Sequence, residues 1–255
     1  MAIDDADVIA AVTSQRATIA DTVAFVHAHR ELAHEEHRCA AHLVGRLRGA
    51  GLRVEERIAG LDTAFRAALA GGRPGRRVGL VALYDAVAAV LAHGPIAGAV
   101  VGAALALAPL RKRLAGELVV IGCPADEIHA PGTAEHGGGK SLTAAAGVWD
   151  DVDAALYVHP EFIDTVWQAS LWMRRDTLTV AGTRSLRDDT AQPPLEAIGT
   201  LVAPAALIGV GRAEGWAFHT DQGAAQFASP AGLDVATDMA TVLALAAMRL
   251  SEPPP

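Results

Sequence analysis

Leu118 to Lys140 reads LVVIGCPADEIHAPGTAEHGGGK. The apolar start of this stretch is the kind of run that forms a buried strand. The chain breaks at Pro124 and presents two adjacent carboxylates, Asp126 and Glu127. A glycine-rich loop follows, and Lys140 opens an alanine-rich helical segment. Lys140 either touches a substrate carboxylate or starts a helix, and the helix start is preferred because glycine before a lysine-led helix needs no ligand to explain it. Carboxylates at the carboxyl end of a buried strand stand where open α/β sheets bind ligands. Adjacent acids repel unless a cation or a shared proton offsets the repulsion. Taken alone, the pair is more simply a solvated acidic turn. Its weight comes from what the rest of the chain sets beside it.

Apolar residues at Val8, Ile9, Val12, Ile19, Val23 and Val26 predict a helix over Asp4 to Arg30, and Leu43, Val44 and Leu47 predict another over Glu35 to Ala50. Leu52–Glu56, Thr63–Ala70 and Arg77–Leu83 read as strands, the last two joined by a turn at Gly71–Gly75. Ile96–Leu110 is rich in Ala and Gly and reads as a helix buried on most sides. Leu118–Ile121 and Ala154–Val158 are further strands, Ser141–Ala146 is helical, and Gly232–Leu250 is a strong terminal helix. Alternation of this kind predicts an α/β fold, with helices flanking a mixed, largely parallel central sheet.

The 255 residues are 51% hydrophobic, enough for a sizeable core, and carry a net charge of −8. No basic stripe is present, which argues against a nucleic-acid partner. Cys39 and Cys123 have no metal-type spacing and read as two reduced thiols of a cytoplasmic protein. The acidic start MAIDDADV lacks the regions of a signal peptide. Val87 to Leu110 is long enough to span a bilayer, but His93, Gly94 and Pro95 interrupt it, and the expectation is no membrane partner.

Three predicted strand-to-loop junctions carry imidazole or carboxylate: His93, the Asp126–Glu127 pair and His159. A fourth, His219, follows a short extended piece near the end. Such groups from separate strand ends are the usual ligands of zinc or manganese. A single histidine at a strand end is more often structural, and so is the tract of His27, His29, His34 and His37 at a helix end and turn.

The run HAHRELAHEEHRCAAHLVGRLRGAGLRVE resembles the opening of the metal-dependent aminoacylase and carboxypeptidase family. The amidohydrolase branch is the closer match; it includes β-alanyl-lysine dipeptidases, p-aminobenzoyl-glutamate hydrolases and hydrolases of auxin–amino-acid conjugates. LVALYDAV, IAGAVVGAALAL, VIGCPADE, GGGKSLTAAAGVWDDVDAALYVHP and FHTDQGAAQFASP follow in family order. The resemblance implies a zinc-exopeptidase-like catalytic domain over 1–165 and 212–255. It implies metal ligation by His93, Glu127, His159 and His219, with Asp126 on the catalytic carboxylate that takes a proton from the attacking water. The implied substrate is a small molecule bearing an amide and a carboxylate, such as an N-acyl amino acid or a dipeptide.

Departures from the family pattern shape the expectation. Leu91 occupies the position of the family's metal-bridging cysteine, which implies one zinc or manganese ion rather than two. Asp126 replaces a glutamate and is one methylene shorter. Residues 166–211 stand where the family inserts a longer lid and dimerisation domain, so they read as a vestigial lid, with a remnant strand at Thr177–Gly182 and helix at Leu195–Ala203. The segment Glu161–Ala217 contains no histidine, so the family's electrophilic lid histidine is absent. Any homo- or hetero-oligomer would then use a non-family interface. The first reading is a metal-dependent hydrolase of C–N bonds. The alternative is a degenerate or repurposed relative: a metal-free biosynthetic enzyme, a small-ligand binder, or a partner of an active homologue.

Overall fold

The computed structural model describes residues 3–87, 91–127, 131–161, 205–211 and 220–253. The strands are β1 (Arg53–Glu56), β2 (Phe65–Ala70), β3 (Arg73–Ala82), β4 (Ala86–Val87), β5 (Leu91–Ala92), β6 (Ala115–Gly122), β7 (Ala154–Glu161) and β8 (Ala205–Gly211). Six of them form the central sheet, in the order β1-β2-β6-β3-β7-β8, while β4 and β5 pair separately. β6, β3, β7 and β8 run parallel to one another. β1 and β2 add an antiparallel edge. The sheet is therefore mixed, and its parallel half carries the site.

The sequence explains this division. Along β6, Leu118 and Val120 face one buried layer, and Val119 and Ile121 face the other. Along β3, Val78, Leu80 and Ala82 face the first layer and Val81 the second. Strands buried on both faces read as continuous apolar runs, as parallel strands do. β2 and β3 are consecutive but not neighbours, because β6 inserts between them. The turn at Gly71–Gly72 passes tightly against the start of β6. A Cβ at Gly71 would lie 2.5 Å from the Leu114 carbonyl oxygen, and one at Gly72 would lie 2.2 Å from that of Lys112.

The helices are α1 (Asp5–Ser14), α2 (Arg16–Ala28), α3 (His37–Gly49), α4 (Gly94–Leu107), α5 (Pro131–His136), α6 (Gly139–Ala145), α7 (Asp221–Phe227) and α8 (Pro230–Ser251). α4 is buried along nearly its whole length, between α2 and α8. Its Gly94, Gly98 and Gly102 recur every four residues and so share one helix face. That face lies directly against Val23 and Ile19 of α2. Ser229 caps α8 and Pro230 fills its first turn, where a missing N–H costs nothing. α8 is long and apolar enough to cross a membrane by length and composition, yet Val235, Met239, Leu243 and Ala247 are buried in the core.

Several elements differ from expectation. The helix predicted over Asp4–Arg30 is two helices, broken at Gln15, where the Thr13 and Ser14 hydroxyls bond back to backbone carbonyls. The interrupted run from Val87 begins with β4 and β5 before α4 starts. Part of the glycine-rich loop after the acid pair is helical, as α5. Ala205–Gly211, within the stretch 166–211 read as a lid remnant, is β8 and pairs with β7 in the main sheet. The remnant strand and helix read at Thr177–Gly182 and Leu195–Ala203 lie outside the described residues.

Candidate functional site at the ends of the parallel strands

Adjacent parallel strands end on the same side of a sheet, and ligands bind there. Past the end of β3 the chain continues through Leu83 and Tyr84 to Asp85, all buried. β6 continues through Cys123 and Pro124 to Asp126 and Glu127. β7 carries His159 close to its carboxyl end. The hairpin of β4 and β5 returns the chain so that His93 stands at the N-terminus of α4, opposite Asp85.

The centre is His93. Its Nδ1 lies 2.7 Å from Asp85 Oδ1 and 3.1 Å from the Asp85 carbonyl oxygen. Its Nε2 faces the acid pair, 3.4 Å from Glu127 Oε1 and 3.9 Å from Asp126 Oδ2. The other Asp85 oxygen accepts the backbone N–H of Glu127 at 2.9 Å. One buried carboxylate therefore fixes both the imidazole and the backbone of the acid pair. Burial alone would lower the pKa of His93, but Asp85, Glu127 and Asp126 outweigh it and hold the imidazole well above its ordinary value. Burial alone would raise Asp85, but the His93 charge and hydrogen bonds from His93 and the Glu127 amide hold it below the ordinary carboxylate range.

Lys140 is part of this cluster. Its ammonium pairs with Asp126 Oδ1 and lies 4.7 Å from the centre of the Tyr157 ring. Burial would lower its pKa, but Asp126 and Tyr157 overcome this and raise it. The lysine thus opens α6 and also reaches the site. Gly139, just before it, donates to the Pro124 carbonyl at 2.8 Å, and a Cβ there would meet that oxygen at 2.2 Å. The glycine of this loop lets α6 seat against the acid-bearing turn. Cys123 is not a thiolate nucleophile, since burial pushes its thiol up to about 12.

The sequence-predicted residues divide clearly. His93, Asp126 and Glu127 come together. His159 stands on the neighbouring strand, its Nδ1 2.8 Å from the Pro160 carbonyl oxygen and its ring edge-on to Tyr157. His219 lies outside the described residues. Among the described residues, no group of three or more His, Cys, Asp or Glu is arranged to hold a metal ion. Two of the early histidines take structural partners. His29 Nδ1 lies 2.8 Å from the Phe25 carbonyl oxygen, with its ring stacked on that of Phe25, and His34 Nε2 lies 2.8 Å from the Gly137 carbonyl oxygen. Asp85 is the site residue that residue-by-residue reading misses, and Lys140, preferred there as a helix start, reaches Asp126. Asp85 had a signal, an acid closing an apolar strand just ahead of His93.

A mixed sheet flanked by helices is also the architecture of a solved M20 peptidase. YxeP of Bacillus subtilis, described as a dinuclear metal binding peptidase of the M20 family, superimposes with a TM-score of 0.52 at 18% identity, over 63% of this chain and 48% of its own. The LapA aminopeptidase of Legionella pneumophila superimposes over 100% of this chain and 77% of its own, with a TM-score of 0.62 at 14% identity. In sequence, one of the subunits of the p-aminobenzoyl-glutamate hydrolase of Escherichia coli is 29% identical over 173 residues, 59% of this chain. This chain spans 34% of that relative's length. No family model matches the sequence. In fold the chain is similar to a solved M20 peptidase, and in sequence to part of an aminobenzoyl-glutamate hydrolase subunit.

Proposed function

We propose that this chain hydrolyses the amide bond of a small N-acyl amino acid or dipeptide, using one zinc or manganese ion held at His93 and Glu127. The observation that carries the reading is the His93 ring, tied at Nδ1 by buried Asp85 and presenting Nε2 to Glu127. A carboxylate behind an imidazole fixes its orientation and strengthens it as a ligand. Imidazole nitrogen with a carboxylate oxygen suits either metal. His159 and His219 are the proposed remaining ligands. Leu91, at the bridging position, favours one ion, because an aliphatic side chain has no lone pair to share. The ion, when bound, supplies Lewis acidity toward water and the amide carbonyl.

The chain's own residues do the rest. Asp126 takes a proton from the attacking water as its oxygen bonds to the carbonyl carbon. It then passes that proton to the amine nitrogen as the C–N bond breaks, leaving a carboxylic acid and an amine. Lys140 holds Asp126 in one orientation.

One observation favours the second reading, a repurposed relative working without metal: the Lys140 ammonium already neutralises Asp126. Metal content of the purified protein, assayed together with hydrolysis of a panel of N-acyl amino acids and dipeptides, separates the two. The hydrolase reading expects bound metal and turnover that disappears with chelator and in Glu127→Ala. Metal-free protein that converts or binds a ligand supports the repurposed reading.

A further inference from the structure

Glu36, at the start of α3, is fully buried and has no part in the reaction just described. Its Oε1 accepts the backbone N–H of Ala125 at 2.8 Å and that of His34 at 3.0 Å. Its Oε2 accepts the Thr63 hydroxyl at 2.9 Å. Ala125 and His34 both have positive φ, 56° and 66°, a conformation that residues with a Cβ keep only where their surroundings hold it. Ala125 immediately precedes Asp126 and Glu127. The Thr63 carbonyl, in turn, accepts the Tyr84 hydroxyl at 2.7 Å, and Tyr84 immediately precedes Asp85. One carboxylate from a distant part of the chain thus bonds directly to the turn that carries the acid pair, and is linked through Thr63 and Tyr84 to the one that carries Asp85.

We infer that Glu36 is a positioning residue: by holding the Ala125 amide it sets the direction in which Asp126 and Glu127 leave β6 toward His93. It touches no reacting atom and acts through the backbone. The catalytic consequence rests on the proposed amidohydrolase reading; the positioning itself does not.

The test compares Glu36→Gln with Glu36→Met. In Glu36→Gln the amide oxygen still accepts both backbone N–H groups, and its NH₂ donates to Thr63. In Glu36→Met all three bonds are lost with little change of volume. Amide hydrogen exchange of the full chain is read at Ala125 and His34, against Val119 and Val120 inside β6 as internal references. Glu36→Met is expected to speed exchange at Ala125 and His34 by about tenfold or more and to leave the β6 amides unchanged. Glu36→Gln should keep the wild-type pattern. On the N-acyl panel, Glu36→Met should lose about 100-fold in kcat with KM little changed, since small misplacements of reacting groups cost on that order. Glu36→Gln should rescue kcat. If Glu36→Met does not fold, Glu36→Asp, which keeps the charge but withdraws the carboxylate, should show the same changes at smaller size. Retained protection at Ala125 in the Met or Asp variant overturns the inference. A wild-type chain that hydrolyses nothing in the panel sinks the amidohydrolase reading instead, and the exchange pattern alone then decides the positioning role.

Discussion

At the scale of single residues, the site is a set of mutually compensating buried charges. Asp85 has no exposure and pairs with His93, its one cationic partner among the described residues, so truncating it breaks a buried ion pair. Asp85→Ala should therefore cost about 3–5 kcal/mol of stability, measured by urea unfolding, as for other broken buried pairs. Glu36 gives a pH signature. Burial, and then the nearby Asp85, raise its carboxyl from 4.5 to about 7. Below pH 4.5 the folded and unfolded chains both carry this proton. Between 4.5 and about 7 only the folded chain keeps it, so unfolding releases a proton and stability falls as pH rises through that window. The total is roughly 3 kcal/mol. Urea unfolding of wild type and Glu36→Gln from pH 4.5 to 8 should show the wild type losing that amount relative to the variant. Equal slopes would remove the raised carboxyl from the account. Glu36 was not legible as a partner in the sequence, and Asp85 only as an acid closing a strand ahead of His93. Period and spacing mark acids at strand ends, but which acid turns inward depends on contacts between distant segments, such as Glu36 with Ala125.

At the scale of elements, strong periodicity was readable and interruptions were not. β6, α3 and α8 lie within a few residues of where apolar spacing places them. The break at Gln15 goes with hydroxyl back-bonding, and the insertion of β6 between β2 and β3 is pairing between remote strands. Local sequence does not encode such pairing. The burial of α4 was visible in its Ala and Gly content, and the structure supplies the reason, its close approach to α2. A Cβ at Gly98 would meet Val23 Cγ2 at 2.8 Å and the Ile19 carbonyl oxygen at 3.1 Å. Gly98→Leu should accordingly destabilise the chain by about 1–3 kcal/mol through overpacking, despite leucine's better helix propensity. Thermal unfolding checks this, and an unchanged midpoint would mean that α2 and α4 separate easily.

At the scale of the whole molecule, the parallel order β6-β3-β7 brings the acid pair, Asp85 and His159 to one edge of the sheet. The resemblance in sequence covers 59% of the chain, and the likeness to LapA is one of fold alone, with a TM-score of 0.62. The position of the site was legible because strand ends carry it. The completeness of the ligand set was not, since it depends on segments joined only by the fold. A cation bound to the folded state alone stabilises it by mass action, by about 2.7 kcal/mol at a hundred times its Kd. Manganese or zinc at that level should therefore raise the unfolding midpoint of the wild type and leave that of Glu127→Ala in place. The most direct test is calorimetric titration of metal-stripped protein with manganese. The account predicts one ion per chain, with binding lost in His93→Ala and in Glu127→Ala while both variants stay folded. No binding by the wild type, or equal binding by all three proteins, contradicts it.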